Sequence, residues 1–170
     1  VNGSLSWVAK TARAGLLMAV SKVQQEKNKA TVDTIKLCNL AVRFAKDDPD
    51  RGHTFLPNVL NWVDDIGFTV TDASHANELE ESTGEPFRSQ GAKLVGLATK
   101  ELWDGNRAGI HIFMMNSTTI RRVCRATVQC ETYALSLGVE SLDTMRAAIV
   151  DMRGTLDRKH WERSASSQMR

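Results

Sequence analysis

The sequence holds only three prolines and eleven glycines in 170 residues, and no low-complexity tract or internal repeat. That scarcity excludes collagen-like and wholesale disordered chains, while 42% hydrophobic and 25% charged residues suit one ordinary folded domain, or a domain plus an appendage. No apolar run approaches the roughly 18 residues that a spanning helix needs. The longest, at 15–20 and 112–115, are far shorter, so a membrane protein is not expected. The three cysteines, Cys38, Cys124 and Cys130, include no CxxC pair, and the N-terminus has neither the charged nor the apolar region of a secretory signal. A reducing compartment is the expectation. HExxH, GxGxxG and a Walker lysine are absent too, which removes the common zinc-protease, dinucleotide and P-loop chemistries. Valine at position 1 and the polar run over 164–170 suggest a piece of a longer chain.

What is present is an uneven charge distribution. The net charge of +2 divides into +6 over residues 1–46, −9 over 47–87 and +5 over 88–170. A basic, acidic, basic order suits a chain that holds a polyanion and a divalent cation together, and it equally suits solvated helix faces.

Apolar residues recur at helical spacing from Leu5 through Val8, Ala12, Leu16 and Ala19 to Val23, predicting one helix that ends near Lys27. Thr31 caps a second, with Ile35, Cys38, Ala41, Val42 and Ala45 inward, ending before Asp47-Asp48-Pro49. The two form a helical hairpin. Short β-branched or aromatic runs at 59–62, 67–71, 92–98 and 110–115 read as strands, with turn chemistry at Asp64-Asp65 and at Asp104-Gly105-Asn106. The acidic stretch 77–90 is expected to be a mobile loop. From 127 to 152 a long helix returns, with Leu135, Leu142, Met145, Ile149 and Met152 on one face. Gly138 lies on that stripe and would let the helix approach a sheet closely. The expected fold is α+β: a helical hairpin, then a mixed sheet of about three to five strands packed against one long helix.

Two acids stand out by position. Asp72 ends a strand predicted to be buried, and Glu131 projects from the sheet-facing stripe of the long helix. If helix and strand cross, the carboxylates converge, and a hard cation such as Mg²⁺ would neutralise them. Asp72 as a turn cap and Glu131 as a first-turn acid favoured by the helix dipole explain the same residues.

Four stretches carry a resemblance. They are Gly3-Ser4-Leu5-Ser6-Trp7-Val8-Ala9-Lys10-Thr11-Ala12-Arg13, Thr71-Asp72-Ala73-Ser74-His75-Ala76-Asn77, Ser89-Gln90-Gly91-Ala92, and Arg125-Ala126-Thr127-Val128-Gln129-Cys130-Glu131. In this order they resemble copia-type retrotransposon polyproteins. The first is similar to the closing Gly-Ser-Leu-x-Trp-Leu-Ala stretch of the reverse transcriptase, and the others to the family's ribonuclease H module. The resemblance implies residues 1–50 as the C-terminal helical hairpin of the polymerase and 51–170 as an RNase H-like domain truncated at its C-terminus.

It also implies Asp72 and Glu131 as two of four catalytic carboxylates. In the family these bind two Mg²⁺ or Mn²⁺ ions, which activate a water and stabilise the leaving 3′ oxygen as the RNA strand of an RNA–DNA hybrid is cut. The third and fourth acids of the family have no counterpart, because Asp151, Asp157 and Glu162 lie in helical or polar context. Ala14-Gly15 stands where the family has Pro-Asp, Ala126 and Cys130 replace small residues of its Arg-Ser-Thr-x-x-Ala-Glu motif, and no Tyr-x-Asp-Asp polymerase motif is present. The expectation is therefore a fragment holding half a metal site and inactive alone. Its partners would be an RNA–DNA hybrid and the rest of the polyprotein, in cytoplasmic particles and the nucleus. A non-catalytic nucleic-acid-binding tether and a degenerate element remnant remain as rivals. Arg121, Arg122 and Arg125, just before the long helix, are candidate phosphate contacts or a solvated basic loop.

Overall fold

A computed structural model describes residues 2–61, 64–79 and 86–169. Three helices come first: α1 (Asn2–Thr11), α2 (Leu17–Gln25) and α3 (Val32–Asp47). Three strands follow, β1 (Ile66–Leu79), β2 (Pro86–Ala98) and β3 (Ile110–Thr119), then α4 (Thr127–Met152) and a short α5 (Trp161–Gln168). The sheet is antiparallel in the order β1-β2-β3, so the class is α+β, with three strands in an open sheet rather than a mixed one.

The single N-terminal helix expected from periodicity is broken at Ala12-Arg13. Its stripe survives the break, since Leu5, Leu16, Val20 and Val23 are buried. The reason for the break is Arg13, only 7% exposed, whose backbone leaves the helical region at φ −134°. Its guanidinium donates to the Ala45 carbonyl at 2.8 Å and the Phe44 carbonyl at 3.3 Å, and it lies 5.5 Å over the Phe44 ring. A buried cation is thereby satisfied by the carbonyls that the end of α3 leaves without helical partners. Thr31 caps α3 as expected, within a capping box that Thr34 completes. Ile35, expected inward, is exposed.

β2 is the central strand, and its alternating side chains serve two layers. Ser89 meets Cys130 of α4, Lys93 donates to the Leu137 carbonyl of α4, and Leu97 packs with Ile149 and Val150. The other set faces the N-terminal helices, where Leu94 joins a core built from Leu5, Ala9, Leu16, Leu17, Val20, Ala41 and Met115. Gln90 lies in the same set. Its amide donates to Ser21 Oγ at 2.9 Å and to Ser117 Oγ at 2.8 Å, while its carbonyl oxygen accepts from Thr119 Oγ1 and Gln25 Nε2, each at 3.3 Å. The N-terminal helices and the sheet thus share one core.

Three sequence expectations fail here. Residues 59–61 form no strand; Leu60 instead fills the cluster around Leu97 and Ile149, and Trp62 and Val63 lie outside the described residues. The stretch 77–90 is not simply a loop, because β1 runs to Leu79 and β2 starts at Pro86, with 80–85 outside the described residues. On α4, whose limits match the expectation, Leu135 and Met152 are exposed, and the buried stripe runs through Cys130, Ala134, Gly138 and Ile149. The hairpin at Asp104-Gly105-Asn106 forms, with Gly105 at φ 75°.

Gly138 lets α4 lie close against β1. A Cβ there would lie 2.4 Å from Thr71 Cγ2 and 2.8 Å from Thr69 Oγ1. On an exposed helix, Gly→Ala stabilises by about 1 kcal/mol. Gly138→Ala is instead expected to destabilise the chain by about 1–3 kcal/mol in urea unfolding, as overpacking does. Adding Thr71→Ser, which removes the closer of the two clashing atoms, should restore part of the loss. An unchanged midpoint in the single variant would mean that helix and strand lie further apart than described.

Candidate functional site

The opening of α4 gathers most of the residues that the sequence singles out. Residues 120–126 are irregular and lead from β3 into the helix. Ala126 is the N-cap and supplies no side-chain hydrogen bond, so the local order comes from elsewhere. The Gln129 side chain accepts from the Arg125 amide at 2.9 Å, and His75 Nε2 of β1 lies 3.1 Å from the Cys124 carbonyl. Ile120, Cys124, Cys130 and Ala134 form a small apolar cluster with Ala73.

Arg121, Arg122 and Arg125 are all exposed on this segment. Arg122 stacks its guanidinium 5.5 Å from the Tyr133 ring centre and donates to the Tyr133 hydroxyl at 3.4 Å. Such a platform restrains a long side chain while leaving its remaining N–H groups outward, which is useful for meeting a phosphate. Tyr133 gives no motif signal in the sequence. Its role could be found only by placing it one turn into the helix, beside the arginine.

Glu131 sits in the opening turns of α4, half-buried at the edge of a stripe that runs through Cys130 and Ala134 rather than through Glu131 and Leu135 as expected. Asp72 does not sit as expected. It is exposed, and strand alternation decides its direction. Thr69 and Thr71 face α4 through Gly138, so Asp72 lies on the opposite face, in register with Ala92 and alongside exposed Val70. The N-terminal helices do not cover that part of the sheet, because their core is built on Leu94, Ile112 and Met115 of β2 and β3. The predicted convergence of Asp72 and Glu131 is therefore corrected: the two carboxylates lie on different faces.

As placed, these residues do not make a joint divalent-cation site. No group of three or more His, Cys, Asp or Glu side chains suited to a metal occurs among the described residues. Asp151 lies near the end of α4 and pairs with Arg158, Asp157 caps the turn before α5, and Glu162 lies on α5. None of the three is on a strand. Tyr133 and Glu131 are two residues apart, about 200° around the helix. The arginine platform and the glutamate accordingly flank α4 on different sides.

Two further groups at this interface have ionisation shifted by their surroundings. Burial under α4 pushes the Lys93 ammonium below its ordinary range, with Glu140 opposing the shift. Burial likewise pushes the Cys124 thiol up, and contact with the Cys130 thiol adds to the effect. Neither has a motif signal, since the environment comes from the helix crossing.

Because Asp72 is solvated, Asp72→Asn is expected to change the unfolding free energy by no more than about 0.5 kcal/mol in urea titration. A loss or gain of several times that size would place the carboxylate in a buried or paired setting instead. No family, curated protein or solved structure was found to match the chain.

Proposed function

We propose that the chain is the part of a copia-type retroelement polyprotein that joins the last helices of a reverse transcriptase to an RNase H-like unit, and that it grips an RNA–DNA hybrid. The observation that carries this reading is the order of elements. An antiparallel β1-β2-β3 sheet is followed directly by a long helix that packs back across β1 and β2, with the Arg121, Arg122 and Arg125 segment at its start and Glu131 in its first turns. That order supports the resemblance in the sequence motifs, and the three arginines share one exposed segment, which suits contact with a polyanion.

Within this reading the chain acts as a non-catalytic, nucleic-acid-binding connection, and the cleavage chemistry belongs to the intact polyprotein. Two observations favour the connection. Asp72 lies on the sheet face opposite α4, the helix that carries Glu131, so the two do not act on one phosphodiester as placed. The N-terminal helices share a core with the sheet, which suits a rigid coupling between a polymerase and a nuclease.

Binding to a labelled RNA–DNA hybrid at low salt tests the grip. Affinity is expected to fall with salt, and replacing Arg121, Arg122 and Arg125 together by Ala should lower the magnitude of the log–log slope by up to about 3, near one for each lost phosphate contact. No strand cleavage is expected with Mg²⁺ or Mn²⁺. Salt-independent binding, or a slope unmoved by the triple variant, would remove these arginines from the interface. Metal-dependent cleavage abolished by both Asp72→Asn and Glu131→Gln would overturn the non-catalytic assignment.

A further inference from the structure

Strand β1 follows α4 from its middle to its start. Thr69 and Thr71 lie against Gly138, Ala73 joins the cluster around Cys130 and Ala134, and His75, the next side chain on that face, reaches the irregular segment before the helix. Its half-buried ring puts Nε2 3.1 Å from the Cys124 carbonyl. A carbonyl only accepts, so Nε2 carries the proton and donates. The pairing of β1 with β2 slips at the same place: Ser74 faces Gln90 but Glu78 faces Arg88, so β1 takes four steps where β2 takes two. Such irregularities re-aim side chains that would otherwise follow the ladder. The carbonyl that His75 meets belongs to a residue only 6% exposed, and no main-chain N–H donates to it among the described residues. A buried carbonyl without a partner is costly, and the imidazole supplies the partner.

We infer that His75 is the positioning residue of the arginine segment: by donating to the Cys124 carbonyl it orders the main chain that carries Arg121, Arg122 and Arg125, and so sets the affinity of the grip. The inference rests on the hybrid binding proposed above. Two further bonds flank this one. At the start of the segment the Ile120 amide donates to the Ser89 carbonyl of β2 at 2.7 Å, and at its end the Arg125 amide donates to the Gln129 side chain at 2.9 Å. Between them His75 holds Cys124, with Arg121 and Arg122 on one side of the tie and Arg125 on the other. Without it the stretch keeps its apolar contacts but loses its polar anchor. The arginines would then have to be ordered as a phosphate backbone arrives, and that ordering is subtracted from affinity. The contribution is one of order rather than charge, because Nε2 keeps its hydrogen whether the ring is neutral in this tautomer or protonated.

The tie and its effect on binding are tested separately. In the full chain without nucleic acid, proton–nitrogen correlation spectra are expected to show the Nε2–H tautomer of His75, and the Arg125 amide should exchange more slowly than in His75→Ala. At fixed salt, His75→Ala is expected to weaken binding to a labelled RNA–DNA hybrid by about 3–10-fold. Two conservative variants separate positioning from bulk. The amide nitrogen of Gln takes roughly the place of Nε2, so His75→Gln should recover most of the affinity and of the slow exchange. Asn reaches only to the place of Nδ1, so His75→Asn should behave like the Ala variant. An Nδ1–H tautomer, unchanged binding in His75→Ala, or a Gln variant as weak as the Asn one would overturn the inference. Tautomer and exchange are read without nucleic acid, so a chain that binds no hybrid would remove the grip while those two readouts still decide whether His75 holds the segment.

Discussion

The side-chain amide of Gln90 is the interaction on which the arrangement of layers depends. Buried in the middle strand, it reaches Ser21 and Gln25 on α2 and Ser117 and Thr119 on β3. A buried amide left with unmet hydrogen bonds costs about 1–3 kcal/mol, so the site is costly unless every partner is in place. Once met, the same bonds fix which strand lies beside which helix. Apolar contacts between α2 and the sheet would tolerate sliding, whereas a hub with four polar partners has one register.

That hub explains why β2 carries chemistry-free residues on both faces while candidate site residues sit at its margins. One face of β2 is committed to the N-terminal helices and the other to α4. Exposed polar groups are left to the irregular segment before α4 and to the uncovered part of β1. The grip and Asp72 are consequently separated by the thickness of the sheet, and Glu131 lies on another side of α4 from the arginine platform, so a binding role fits the architecture more directly than a two-carboxylate centre does.

How much of this was legible in the sequence varied with the physics behind each signal. The limits of α4 and the Thr31 cap of α3 follow from local period and capping, and both were readable. The stripe of α4 was read one residue off at Leu135, because a 26-residue helix over a twisted sheet does not keep one straight line of contacts. The break at Arg13 was unreadable, since it depends on carbonyls of α3 more than 30 positions away. β1 continues through the largely polar stretch 74–79 because β2 is there to pair with it, which propensity does not reveal. For the site, helical period puts Glu131 on a stripe with Leu135, whereas the buried stripe passes one residue earlier, through Cys130 and Ala134, and leaves Glu131 half-buried at its edge. Asp72 was misplaced because a strand's two faces are told apart only by which of them a neighbour covers. Tyr133 had no sequence signal at all.

The length of β1 has a consequence for how the chain behaves in solution. Its 14 residues pair with β2 on one side, and no strand among the described residues lies on the other. Such a margin is a template on which a second β-strand can crystallise, and proteins blunt it with charge. Asp72, beside exposed Val70 and solvated rather than buried, is a charge that an incoming strand would have to strip of water. That desolvation cost opposes self-assembly along the margin, so colloidal behaviour at high concentration is coupled to the protonation of a single carboxylate.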